Sequence, residues 1–278
     1  MTFKTILTVT GPGLGDADLK LATALCEEVE AHLAVLVVAL ASPPPIGGYA
    51  AVINDAWLAE REVDQKALEE RTQAVSAFLA ASPVSADVAI EYQETAWADE
   101  AIGRRGRYAD LTVLAPEGLS SGELKDKVVE GALFHSGRPL LLVPKGHIAT
   151  LRPRRVVVAW DSRIESSQAV ARSLSLLASA DQVRLVLVDP TEGDLDQGAE
   201  PGADAATYLA RHGVKVTVDR LPSQGRSVAA VLAQHSTDMA ADLLVMGAYG
   251  HSRLRQRIFG GVTSAMIEKP PLPVLMAR

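Results

Sequence analysis

The chain has 278 residues, 48% of them hydrophobic and 22% charged, which suits two globular domains and excludes a disordered protein. Its net charge of −7 opposes nucleic acid or an anionic membrane as the main partner. One cysteine, Cys26, excludes an internal disulfide framework and reads as a small core hydrophobe. The longest apolar run, Leu33–Ala41, is too short to span a membrane, and no secretory pattern opens the chain, so a soluble cytoplasmic protein is expected.

In chain order the first half reads as strand 4–10, helix 17–31, strand 33–41, helix 55–81 and strand 86–92. Helix 96–107, strand 110–115, helix 123–136 and strand 139–144 follow. The second half reads as strand 155–160, helix 164–179, strand 183–188, helix 203–212 and strand 214–220. It closes with helix 225–237, strand 242–247, helix 261–269 and strand 273–277. Continuous apolar strands alternating with helices imply a parallel sheet covered on both faces, an α/β architecture.

The two halves repeat one another. Ala109-Asp110-Leu111-Thr-Val113-Leu114 matches Ala241-Asp242-Leu243-Leu-Val245-Met246, and Arg138-Pro139-Leu-Leu-Leu-Val143 matches Leu272-Pro273-Val-Leu-Met276. Such self-similarity is the mark of a duplication. Lys145–Pro153, polar and proline-bearing, is the natural boundary, giving domains at 1–146 and 152–278. The acid-rich stretch Thr191–Asp204 fits no calcium-loop spacing and reads as a solvated loop.

The most telling pattern is Gly247-Ala-Tyr-Gly250, then nine residues, then Gly260-Gly261-Val262-Thr263-Ser264. The glycines begin where the apolar strand ending at Met246 stops, and the second pair stands at a predicted helix start, where free N–H groups favour an anion. The spacer holds His251, Arg253, Arg255 and Arg257, of which Arg253 or Arg257 suits a phosphate. Ligands of open parallel sheets bind beyond the carboxyl ends of the strands. There Ala159 and Asp161 follow one strand, Val188 ends the next, and Met246 precedes the first glycine. Asp161 could accept from an exocyclic amine, Val188 and Met246 could flank a flat ring, and Thr263 or Ser264 could meet phosphate oxygens.

These residues resemble the universal stress protein family in a tandem, two-unit form. The resemblance implies two doubly wound five-stranded parallel-sheet units, the fold of the adenine nucleotide alpha hydrolases and universal stress proteins, arranged as a pseudo-dimer through their last strands. The family's nucleotide binders carry G-x2-G-x9-G-(S/T), which Gly247, Gly250 and Gly260 match. Asp161 matches its early Asp, Val188 its apolar residue closing the second strand, and Met246 the residue before the first glycine. The resemblance therefore implies ATP or AMP, with or without Mg, bound in the second half. Gly261 stands where the family has Ser or Thr, leaving the backbone N–H groups of Gly261 and Val262, with Thr263 as a substitute hydroxyl.

Half one departs further. Gly11 replaces Asp161, Ala115-Pro116 replaces Gly247-Ala248, and Asp126-Lys127 stands where Gly260-Gly261 does, so it reads as a non-binding copy. No catalytic signature stands out. His135, His147, His212 and His235 read as surface or helix-end residues, His212 being followed by a glycine cap at Gly213. The expected function is a stress-response regulator working through nucleotide-dependent conformation or partner binding, with an added homodimer possible. A nucleotide-free scaffold and a slow ATP hydrolase are the alternatives.

Overall fold

The computed structural model describes residues 3–44, 55–191, 200–249 and 261–278. Gly250, Arg253 and Gly260, like the rest of the spacer and most of the acid-rich stretch, lie outside the described residues. Two compact units emerge, Phe3–Ser136 and Gly137–Arg278. Among the described residues no helix is long and apolar enough to cross a membrane.

The first unit runs β1 (Thr5–Thr10), α1 (Ala17–Val29), β2 (His32–Ala41), α2 (Asp55–Ala80), β3 (Ala86–Glu94), α3 (Ala98–Gly106), β4 (Leu111–Leu114), α4 (Pro116–Leu119) and α5 (Glu123–Glu130). Its strands stand side by side as β3-β2-β1-β4, all parallel. Leu33, Leu36 and Val37 of β2 are fully buried, as a strand covered on both faces requires. A 3-10 turn at Thr95–Trp97 leads into α3, and a π-helical turn at Gly131–Ser136 extends α5. A Cβ on Gly131 would lie 2.7 Å from the Asp99 carbonyl oxygen, so glycine is what lets α3 come this close. Cys26 is buried within α1, and burial pushes its thiol up to about 12.

The second unit holds β5 (Leu140–Leu142), β6 (Arg155–Ala159), α6 (Ile164–Ser179), β7 (Gln182–Val188), α7 (Ala203–Arg211), β8 (Val216–Leu221), α8 (Val228–Asp238), β9 (Leu243–Gly247), α9 (Gly261–Glu268) and β10 (Val274–Ala277). Five strands, in the order β10-β9-β6-β7-β8, are parallel, and β5 joins β10 in antiparallel register, Leu141 opposite Leu275. The units thus divide at Ser136, ahead of the Lys145–Pro153 stretch marked by composition. The reason is that the buried leucines of β5 pack with the second unit. The first unit accordingly keeps four parallel strands of the five expected from the first half.

The repeated Ala-Asp-Leu segment does the same work in each unit. Asp110 Oδ2 accepts from the N–H groups of Lys4 (2.7 Å) and Thr5 (3.0 Å). Asp242 Oδ2 accepts from those of Arg154 (2.9 Å) and Arg155 (2.8 Å). Each aspartate pins the start of one strand, β1 or β6, to the start of its neighbour, β4 or β9, satisfying amides that the ladder leaves open.

Candidate functional site

In the second unit β6 lies between β7 and β9: the chain passes from β6 to β7 on one side and returns from β8 to β9 on the other, so the strand order reverses at β6, the place where open parallel sheets bind ligands beyond the carboxyl ends of their strands. Five predicted residues stand at or just beyond these strand ends. Ala159 ends β6, half-buried, with Met246 of β9 as its register partner. Met246 is buried, and Gly247 follows it, half-buried, as the last residue of β9. Asp161 stands two residues beyond Ala159, its side chain 57% exposed. Its Oδ1 accepts from the Arg163 N–H (3.2 Å) and its Oδ2 lies 3.8 Å from Arg163 Nε, while Ser162 takes a left-handed φ of 63° to make the turn. Val188 ends β7, half-buried and paired with Leu221.

Gly247 is glycine for a packing reason. A Cβ there would sit 2.5 Å from Ser166 N and 2.6 Å from the Glu165 carbonyl carbon, so it is the first turn of α6 that approaches this main chain. Ser166 is buried and its hydroxyl donates to the Arg163 carbonyl at 2.8 Å. Gly261 differs: it is exposed at the start of α9, and among the described residues nothing lies within 4 Å of a Cβ placed on it. Val262 is half-buried and Thr263 buried. The Thr263 hydroxyl accepts from the Tyr249 N–H at 3.3 Å, tying the residue before Gly250 to α9. That leaves the Thr263 O–H proton to donate elsewhere.

Sequence reasoning passed over Asp189 as a structural element of the rim. It takes φ 47°, its N–H donates to Leu221, and its Oδ1 accepts from the Ser223 N–H at 2.8 Å. Hydrogen bonds from Ser223 hold its carboxyl below the ordinary 3.8. The signal available was its place directly after the β7 run.

The corresponding end of the first unit is filled by its own side chains. Asp18, in the first turn of α1 and buried, accepts from the N–H groups of Glu117 (3.0 Å) and Gly118 (2.7 Å) at the start of α4. Burial pushes its carboxyl above 3.8 against the pull of those two amides. Arg71 of α2, 8% exposed, donates to Asp16 Oδ1 (2.7 Å), to Thr10 Oγ1 (3.4 Å) and to the Gly15 carbonyl. An internal carboxylate holds the helix-start amides, and an internal cation lies against the turn after β1. Nothing in the spacing of Asp18 announces a partner at Gly118, since the two meet only through the fold.

His135 and His235 stand in the last turns of their helices, as read, and each also meets a carboxylate. His135 Nε2 lies 3.1 Å from Asp99 Oδ2 and His235 Nε2 lies 3.0 Å from Asp219 Oδ2, each half-buried beside a further cation, Lys127 and Arg184 respectively. His212 does cap α7, with Gly213 at φ 79° after it.

The family match falls on this second unit. Residues 153–278 match the universal stress protein family. The matched range takes in the candidate residues from Ala159 to Thr263. A universal stress protein of Synechocystis sp. is 33% identical over 144 residues, spanning 51% of this chain and 47% of that protein, so the chain spans about half the length of this relative. The crystal structure of a universal stress protein from Archaeoglobus fulgidus superposes with a TM-score of 0.60 at 15% identity, covering 98% of this chain and 96% of that one. A candidate universal stress protein from Pseudomonas aeruginosa gives 0.58 at 14%, over 99% and 93%. At these identities the likeness is one of fold, and it extends over both halves. The universal stress fold is thus an α/β architecture with mostly parallel strands here, as the apolar runs imply.

Proposed function

We propose that this protein is a stress-response regulator that binds an adenine nucleotide, ATP or AMP, at the carboxyl-end crevice of its second unit. The observation that carries the reading is the Tyr249–Thr263 hydrogen bond, which joins the two ends of the glycine-bearing segment beside the switch point. Phosphate oxygens suit the amides of Gly261 and Val262 at the start of α9 and the Thr263 hydroxyl proton. Val188 and Met246 offer apolar sides for the base, and the exposed Asp161 an acceptor for its amine. Arg253, Gly250 and Gly260 complete the set by sequence alone. The first unit serves as a partner copy, its helix-start amides already held by Asp18. Nucleotide acts through conformation or partner binding, because no base or nucleophile is aligned beside Asp161 among the described residues.

Denaturing the purified protein and identifying released nucleotide by mass spectrometry tests this. We expect one adenine nucleotide per chain, lost in Gly250→Val and Gly260→Val, and a higher melting temperature with ATP, assayed with and without Mg. A chain that carries none and whose melting ATP leaves unchanged refutes the reading and favours the nucleotide-free scaffold. Phosphate release that falls in Asp161→Ala marks the slow hydrolase.

A further inference from the structure

A second arrangement lies at the opposite, amino end of the first unit's strands. His32 is the first residue of β2 and Ser85 immediately precedes β3. The parallel register, Leu33 beside Ala86, sets His32 next to Ser85, with Asp87 the next residue on the same face. His32 Nδ1 lies 2.9 Å from Ser85 Oγ, and His32 Nε2 lies 2.6 Å from Asp87 Oδ1. The carboxylate can only accept, so it holds the proton on Nε2 and leaves the Nδ1 lone pair to receive the Ser85 hydroxyl proton. The sheet fixes the backbone on both sides: Leu33 N–H donates to the Ser85 carbonyl (2.9 Å) and His32 N–H to the Lys4 carbonyl (2.8 Å). His32 is 35% and Asp87 57% exposed, and Ser85 is exposed. His32 and Ser85 open on a depression of about 510 Å³ also lined by Lys4, Glu27, Glu30 and Pro83.

We infer that Ser85, His32 and Asp87 form a nucleophile–base–orienter set that transfers acyl groups from small neutral esters. A hydroxyl hydrogen-bonded to an imidazole that a carboxylate orients is the arrangement that activates serine. Ser85 Oγ attacks the ester carbonyl carbon as its proton passes to His32 Nδ1. The carbon–alkoxide bond then breaks, and the leaving alcohol takes that proton. Water, deprotonated by the same nitrogen, cleaves the acyl-serine and restores Ser85. No short motif revealed this set, because the histidine and serine come from strands more than fifty residues apart in sequence.

The test is labelling of the full-length protein by a fluorophosphonate probe, read by peptide mass spectrometry, with p-nitrophenyl acetate cleavage as a second readout. We expect an adduct on Ser85, none in Ser85→Ala, and labelling slowed about 100-fold in His32→Gln, with Asp87→Asn in between. Ser85 and Asp87 are exposed and His32 is only half-buried, so circular dichroism and melting of the variants should match the wild type. In Ser85→Cys, iodoacetamide should alkylate residue 85 faster than in the Ser85→Cys/His32→Gln pair. Absence of a Ser85 adduct, or labelling indifferent to His32→Gln, overturns the inference.

Discussion

Two glycines of the candidate site differ in what they are for. At Gly247 the obstacle to a side chain is main chain, the Ser166 nitrogen and the Glu165 carbonyl carbon of α6, which cannot swing aside. Gly247→Ala is therefore expected to cost about 1–3 kcal/mol in urea denaturation, as overpacking does. Gly261 has open space around its Cβ direction among the described residues. Gly261→Ser should leave stability within about 0.5 kcal/mol. It should also tighten ATP binding about fivefold in a calorimetric titration, the worth of one added hydrogen bond of about 1 kcal/mol. An unchanged affinity would mean that the position does not face phosphate.

At the scale of elements, α4 depends on a residue far away in sequence. The Asp18 carboxylate is the acceptor for its Glu117 and Gly118 amides, so Asp18→Ala leaves a buried and a half-buried donor without that acceptor. A loss of about 1–3 kcal/mol is expected, together with faster hydrogen exchange at Gly118. The pH dependence has a definite sign. Because burial raises the folded carboxyl above 3.8, the folded state keeps this proton to higher pH than the unfolded chain. Its contribution is complete below 3.8 and declines as pH rises through the folded value. The stability margin of wild type over Asp18→Asn, which has no charge to lose, should thus be largest in acid and shrink toward neutrality.

For the molecule as a whole, the decisive strand is β5. Leu140, Leu141 and Leu142 are each at most 1% exposed and pair with β10, so they belong to the second unit. A fragment of residues 137–278 is expected to unfold at higher urea than one of residues 152–278, whose start follows the compositional boundary. Each buried leucine is worth about 1.5–3 kcal/mol. Without β5 the edge of β10 is bare, and size-exclusion chromatography should show the shorter fragment self-associating. Equal midpoints would assign β5 no part in the second unit.

The apolar runs by themselves determined the order of strands and helices, because a strand buried on both faces must be apolar throughout, as β2 is. The glycine spacing and the repeated Ala-Asp-Leu segment marked the second half's candidate loop and the likeness of the two halves. The direction of β5 was not legible, since Leu-Leu-Leu buries equally well in parallel or antiparallel register and only its neighbour β10 settles the matter. Nor was the short α4, nor the filling of the first unit's crevice by Asp18 and Arg71, nor the meeting of His32 with Ser85. Hydrophobic pattern is a local property carried along the chain, whereas a polar contact between distant residues exists only once the sheet register has brought them side by side.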